Sequence, residues 1–358
     1  MTCKKSQTLG TRSALLASFW FCLFVFTALA GCSDEGSVYK ARLTGATMGT
    51  SYSITLVTNE PISDSDSLQR DVDEALRQLN QQMSTYIDNS EINTLKTSPV
   101  DQWISISKPV AEVLGMSLLV SDWSHGAFDV TLRPLIDLWG FGPTQTDDQI
   151  PEQSEIHRIL QEVGYEHIQL DEKNLKVLRT AAVDMDFSAV AKGYGVDVVA
   201  SLLEQKGLNN YLVEIGGEIR LKGHNPKRQD WRVAVERPQA GLGQRIYKAI
   251  PLTDKAIATS GDYRNYFEQN GQRYSHTIDP RTGKPVVHNL ASVTVIHSSA
   301  AMADALATAF NVMGAEEARL LANSKEIAAF FIIKQENGFI ELSSEAFKPY
   351  LAAAQALQ

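Results

Sequence analysis

Apolar and polar positions alternate along residues 50–58 (TSYSITLVT), with β-branched side chains at many steps, and this period of two predicts a strand. Leu68, Val72, Leu76, Leu79 and Met83 then recur every three or four positions, the spacing of one face of an amphipathic helix. A second helix is expected over residues 109–121, running towards Gly126. A third is expected over 151–163, with Pro151 near its start and Gly164 just beyond its end. Residues 168–170 and 175–178 flank a polar Asp-Glu-Lys-Asn turn and read as a hairpin. Another helix is expected from about Ser188 to Gln205. Short strands follow at 211–215, 219–222 and 231–236, grouped around Gly216-Gly217, with further strands at 257–259, 274–278 and 292–297. Ser298 or Ser299 then caps a helix through Val312 that Gly314 ends. Helices and strands mix without regular βαβ alternation, so the expected class is α+β, with mainly antiparallel sheets and packed helices.

The first 32 residues carry a different pattern. Lys4, Lys5 and Arg12 form a basic start, residues 14–30 are an apolar run, and Leu29-Ala30-Gly31-Cys32 closes it. That is a secretory signal of the lipoprotein kind, in which the thiol of Cys32 receives the lipid. The run of 17 residues sits at the lower limit for crossing a bilayer; the Leu-Ala-Gly-Cys box decides for cleavage. Residues 1–31 are therefore expected to be signal peptide, 32–42 a lipidated, flexible tether, and 43–350 the working domain.

Removing Lys4, Lys5 and Arg12 takes the chain's formal charge from −9 to −12. So acidic a chain has no electrostatic footprint for nucleic acid, and membrane contact is left to the lipid. Cys3 and Cys22 fall in the signal, which leaves Cys32 as the one mature cysteine. Intrachain disulfides and thiolate metal sites are thereby excluded, and any metal must rest on oxygen or imidazole. No GxGxxG follows a strand, and no GxxxxGK[ST] occurs.

Three segments carry candidate chemistry. Asp304 and Thr308 lie four apart and are the only polar side chains between Ala300 and Ala309, so a helix puts them on one face. A carboxylate and a hydroxyl among alanines can offer hard oxygen ligands to Mg²⁺; alternatively Asp304 faces water and Thr308 bonds back to a helix carbonyl. In residues 184–194, Asp186 precedes a helix start and Lys192 sits about a turn inside, a combination suited to an anionic phosphate or simply to a capped surface helix. His276 lies on a strand entering an Asp-Pro-Arg-Thr-Gly turn, as an acid–base group, a phosphate contact or a structural residue. Residues 45–50, ahead of the first strand, and the turn-to-strand segment 126–135 are open to either ligand contact or ordinary packing.

In this order the segments resemble the ApbE family, the FAD:protein FMN transferases. The matching pieces are ATMGT (46–50), STY (84–86), GAFDVTLRPL (126–135), DFSAVAKGY (186–194), EIGGEI (214–219), ATSGDYRNYF (258–267), HTIDPRTGKPV (276–286) and ADALATAF (303–310). The resemblance implies a two-lobed, T-fold-like α+β architecture with FAD in a cleft. It implies Mg²⁺-dependent transfer of the FMN half of FAD to a threonine or serine of a client protein. The client hydroxyl attacks the FMN-side phosphorus and AMP leaves. Clients of this family include NqrB, NqrC and RnfG type subunits of redox complexes, which carry a Ser/Thr-Gly-Ala-Thr-like acceptor motif.

Carried over by position, the resemblance assigns FAD contacts to Met48, Tyr86, Ala127, Phe128, Asp129, Asp186, Lys192 and Ile278. It assigns Mg²⁺ to Asp304, Thr308 and Ala189, the last through its backbone carbonyl alone. His276 matches the histidine implicated in catalysis; it either deprotonates the attacking hydroxyl or orients a phosphate oxygen, and an aspartate could equally serve as the base. The alternatives are an FAD pyrophosphatase, with water replacing the client hydroxyl, and a non-catalytic ligand-binding lipoprotein. The signal and the expected clients together point to the periplasmic face of the inner membrane.

Overall fold

The computed structural model describes Thr2 and residues 37–142, 150–236, 246–261, 266–269, 272–336 and 338–356. Apart from Thr2, the expected signal peptide lies outside the described residues, as do Cys32 and residues 262–265 of the ATSGDYRNYF motif. From Tyr39 onward the chain is one compact unit built on an antiparallel sheet.

Strands β1 (Tyr39–Thr47) and β2 (Thr50–Thr58) form a hairpin. Helices α1 (Ser65–Met83), α2 (Glu91–Lys96) and α3 (Lys108–Trp123) follow, with the two-residue β3 (Ile104–Ser105) between the last two. Then come α4 (Arg133–Leu138), α5 (Gln153–Leu160), β4 (Ile168–Asp171), β5 (Lys176–Arg179) and α6 (Ala191–Gln205). The second half holds β6 (Tyr211–Ile215), β7 (Glu218–Lys222), β8 (Trp231–Glu236), β9 (Ile246–Leu252), β10 (Lys255–Gly261), β11 (Tyr266–Gln269) and β12 (Gln272–Ser275). It closes with β13 (Ile278–Asp279), β14 (Lys284–Pro285), β15 (Leu290–His297), α7 (Ala300–Met313), α8 (Ala315–Ser324), β16 (Ala328–Gln335), β17 (Gly338–Ser343) and α9 (Lys348–Gln355).

Eight strands make the main sheet in the order β1-β2-β6-β7-β10-β15-β16-β17, each antiparallel to its neighbours. The α+β class with antiparallel sheets is thus what the chain adopts. Two apolar cores meet along it. Leu68, Val72 and Leu76 of α1 pack with Val196, Val199 and Leu203 of α6 against Tyr52, Ile54 and Val213 of the sheet. On the β10–β15–β16 side, α3, α7 and α8 build the larger core, where Leu306 and Phe310 meet Val293, Val295 and Phe331. Helix α7 is alanine-rich because it is buried on nearly every side. Small side chains let it approach the sheet and α6 closely: a Cβ at Gly193 would stand 2.3 Å from the Ala300 carbonyl oxygen.

Several expected boundaries move. Strand β1 begins at Tyr39, inside the stretch 32–42 expected as tether, and α9 extends past residue 350. Residues 45–50 do not precede the first strand; Gly45 to Thr47 end β1, and Met48-Gly49 is the hairpin turn. Segment 126–135 leads through a turn into α4 rather than into a strand, because Pro134 in the first turn suits a helix start. Helix α6 starts at Ala191, since Asp186 and Phe187 tie the preceding residues into a tight turn. The strand expected over 274–278 breaks at His276 and Thr277.

Candidate active site

The sheet register brings two tight turns to the same end. Thr47 pairs with Thr50 across Met48-Gly49, Ile215 with Glu218 across Gly216-Gly217, and Tyr52 with Ile215 between them. Met48 (φ 49°) and Gly49 (φ 70°) are both left-handed, the geometry of a two-residue turn that matches strand twist. A methionine in that region is strained, and such strain is concentrated at functional positions. Its Cε reaches over α6, 3.1 Å from where a Cβ on Gly195 would stand. In the second turn a Cβ at Gly216 (φ 60°) would lie 2.9 Å from Thr50 Cγ2 and 3.1 Å from Lys192 Cδ. The lysine stem therefore lies directly against the turn.

Lys192 ends between two carboxylates. Its Nζ is 3.2 Å from Glu218 Oε1 and 3.6 Å from Asp304 Oδ2. Asp304 is 5% exposed, so it does not face water. Its Oδ2 also accepts the Gly193 N–H at 3.1 Å, so a carboxylate on α7 caps the first turn of α6, which has no side-chain cap of its own. Burial opposes the Lys192 charge, but Asp304 and Glu218 outweigh it and hold its pKa above the usual lysine value. Burial, then the Asp304 charge, pushes the Glu218 carboxyl up to about 8. Burial also raises Asp304, against the lysine and the Gly193 N–H.

Thr308 sits one turn beyond Asp304, half-buried, and its hydroxyl makes no back-bond to the helix and no hydrogen bond to another described residue. No group of three or more His, Cys, Asp or Glu side chains converges on one point among the described residues. A cation here would rest on Asp304 with neutral oxygens. Those donors fit a hard divalent ion: one buried carboxylate whose Oδ1 accepts from no described residue, the Thr308 hydroxyl, and the carbonyl of half-buried Ala189 just before α6.

The other predicted residues divide by exposure. Ala127, Phe128, Asp129, Asp186 and Ile278 are buried. The Asp129 carboxylate is fully engaged, with Oδ1 accepting from the Thr131 amide and hydroxyl (2.7 Å each) and Oδ2 from the Tyr165 amide at 2.9 Å. Asp186 Oδ1 accepts the Ser188 N–H at 2.7 Å. Tyr86 is 72% exposed, and Met48, Lys192 and His276 are half-buried. The His276 ring lies edge-on to Phe141, with centroids 6.4 Å apart.

These segments are joined in a closed ring of contacts. Arg133 donates to the Thr85 carbonyl at 3.3 Å, joining the Tyr86 loop to segment 126–135. The Asp186 N–H donates to the Val130 carbonyl at 2.7 Å, and Asp186 leads into α6 and Lys192. Lys192 and Gly193 meet Asp304 on α7. Asn311, a further turn along α7, donates to the Thr277 hydroxyl at 3.3 Å, beside His276. The Trp139 indole N–H donates to the Gly283 carbonyl at 2.8 Å and returns the ring to α4.

Glu218, Asn311, Arg133 and Trp139 were not singled out from the sequence. Glu218 opens β7 immediately after the glycine turn, and a carboxylate at a strand start was its only signal. Asn311 continues the Asp304–Thr308 stripe at seven residues, a legible spacing. Arg133 holds Thr85 and, through Nη1 at 2.6 Å, Asn93, whose amide in turn donates to the Thr85 and Ile87 carbonyls. Nothing in the local pattern marks it.

A family model described as the ApbE family matches residues 48–331. The FAD:protein FMN transferase of Vibrio cholerae serotype O1 is 42% identical over 325 residues, covering 90% of this chain and 96% of that one. Among solved structures, the flavin transferase ApbE from Vibrio cholerae superposes with a TM-score of 0.82 at 39% identity, over 88% of this chain and 100% of that one. The apo crystal structure of the Pseudomonas stutzeri flavinyl transferase ApbE gives a TM-score of 0.81 at 37% identity, over 88% and 98%.

Proposed function

The chain belongs to the ApbE family, and on that premise we propose that it transfers FMN from FAD to a threonine or serine hydroxyl of a client protein. The observation that carries this reading is the half-buried Lys192 ammonium set between Asp304 and Glu218 at the start of α6, with the Thr308 hydroxyl, unpartnered among the described residues, one turn away. Phosphoryl transfer asks chiefly for positioning and for offsetting charge on the transferring phosphate. Met48, in the strained turn against α6, and the exposed Tyr86 are suited to a flat aromatic ring.

The client oxygen forms a bond to the FMN-side phosphorus, the bond to the AMP oxygen breaks, and the hydroxyl proton passes to a base. His276 is our candidate for that base or for orienting a phosphate oxygen. Lys192 neutralises the pyrophosphate. Asp304, Thr308 and the Ala189 carbonyl would hold Mg²⁺, whose charge offsets that on the departing phosphate. Ala127, Phe128, Asp129, Asp186 and Ile278 act as the buried frame beneath the flavin nucleotide. Asp129 does so through backbone bonds it already makes.

The client is read as an Nqr- or Rnf-type subunit with a Ser/Thr-Gly-Ala-Thr-like motif. The lipid on Cys32 places the enzyme at the periplasmic face of the inner membrane, where its FAD must be exported to it. Incubation with FAD, Mg²⁺ and such a client domain, followed by mass measurement, tests this. A gain of one FMN on a threonine is expected. Rapid FMN and AMP release without covalent flavin would instead support the pyrophosphatase. Export is checked by labelling with palmitate, which Cys32→Ala must abolish.

A further inference from the structure

Glu218 has no role of its own in the transfer step, yet it is the nearer of the two carboxylates to the Lys192 ammonium. It is 5% exposed, and its Oε2 is buried without a hydrogen-bond partner. A buried carboxylate with an unmet oxygen destabilises a fold, more so beside a second carboxylate. Stability alone would favour a neutral side chain here. The turn before it also fixes the lysine: with only hydrogen on Gly216, the stem lies flat against backbone and Nζ falls between the two acids.

We propose that Glu218 is a positioning residue, giving the Lys192 ammonium a seat other than Asp304, so that Asp304 stays available to a divalent cation. An ammonium and a cation compete for the same carboxylate. With Glu218 charged, the ammonium has its nearer counter-ion there at 3.2 Å and its farther one at Asp304 at 3.6 Å. With that charge removed, Asp304 is the one anion left to it, and an arriving cation must displace it. This deepens the flavin-transfer reading, on which it rests for the role of the cation; the competition itself follows from the geometry.

The test uses the detergent-solubilised full chain, freed of metal, with MgCl₂ alone as the probe. It is run at about pH 9, above the value of about 8 to which burial pushes the Glu218 carboxyl, so that Glu218 is ionised. Melting temperature is followed as Mg²⁺ is added, since a ligand that binds the folded state raises it by mass action. Glu218→Gln keeps the shape and removes the charge, and Glu218→Asp keeps the charge. Glu218→Gln should need ~10–100-fold more Mg²⁺ for the same rise, the usual effect of losing a residue that supports a metal ligand. Its metal-free melting temperature should be no lower than wild type, and Glu218→Asp should respond to Mg²⁺ more like wild type. An unchanged Mg²⁺ requirement in Glu218→Gln overturns the proposal. So does an equal loss in Glu218→Asp, or a metal-free melting temperature several degrees below wild type in Glu218→Gln, which marks a structural strut. No flavin enters this titration, so a wild-type chain that fails to flavinylate a client would end the transferase reading and leave this result standing.

Discussion

Helices α6 and α7 run antiparallel, and each end of the pair carries a carboxylate from one helix set at the N-terminus of the other. At one end Asp197 of α6 receives four donors. Its Oδ2 accepts from the Ser299 hydroxyl (2.7 Å) and the Ala301 amide (3.0 Å), and its Oδ1 from the Ala300 amide (3.1 Å) and Arg220 Nη1 (2.7 Å). At the other end Asp304 of α7 has the Gly193 amide and a lysine shared with Glu218, whose second oxygen has no partner. The device is the same, a carboxylate completing a helix start. Saturated, it locks the helices together. Left short of donors, it keeps capacity to bind something else, and polar groups short of partners are where function takes precedence over stability. A groove of about 760 Å³ borders the saturated end, lined by residues such as Met116, Tyr194 and Asp197. None of the residues predicted from the sequence faces it.

Four experiments can break or sharpen this contrast. Asp304→Asn should lower flavin transfer at least ~100-fold, the scale for losing one charge-stabilising group at a reacting phosphate. Its melting temperature without metal should hold, because the amide oxygen can still accept the Gly193 N–H; a collapse of the fold would make the two ends alike. Asp197→Ala should show the reverse. A lost cap costs about 2 kcal/mol at the upper end, visible in urea unfolding, while the transfer rate per folded molecule stays at the wild-type value. Away from both ends, Arg133→Lys loosens the Tyr86 loop by removing a bond to the Thr85 carbonyl. About 1 kcal/mol of FAD affinity should go with it, roughly fivefold in Kd by flavin fluorescence.

The last effect is on pH dependence. The Glu218 carboxyl, raised from an ordinary 4.5 to about 8, keeps its proton in the folded state where the unfolded chain has lost it. Its stabilising contribution is full below the unfolded value and disappears as pH rises through the folded one. Metal-free melting temperature should therefore decline between about pH 5 and pH 8, and Glu218→Gln should flatten that slope. A slope unaltered by the substitution would show that Glu218 does not titrate in this window.

Much of this was legible in the chain. The spacing of Leu68, Val72, Leu76, Leu79 and Met83 gave α1, and all five are buried. Ser299 and Gly314 bracket α7 as its cap chemistry requires. Helical spacing alone put Asp304 and Thr308 one turn apart on α7, because a turn of helix is a local rule. The misses share one cause. His276 was read onto a continuous strand, yet the chain breaks there to let Thr277 meet Asn311, and that partner is 34 residues away. Segment 126–135 was read as turn and strand, while the bonds from Asp129 to Tyr165 and from Arg133 to Thr85 decide its course.

By itself, then, the sequence determined the α+β class and the family, and it named the segments that are candidates for chemistry. These depend on periodicity, turn residues and local motifs, which act over a few residues. Only the tertiary structure decided that Asp304 is buried rather than solvated, that Lys192 is shared, and that Glu218 is its second partner. Burial and charge pairing arise from elements distant in sequence, and no local pattern encodes the distance between them. Two aspartates on adjoining helices look alike in the chain. The number of donors folding brings to each separates the lock at Asp197 from the open centre at Asp304.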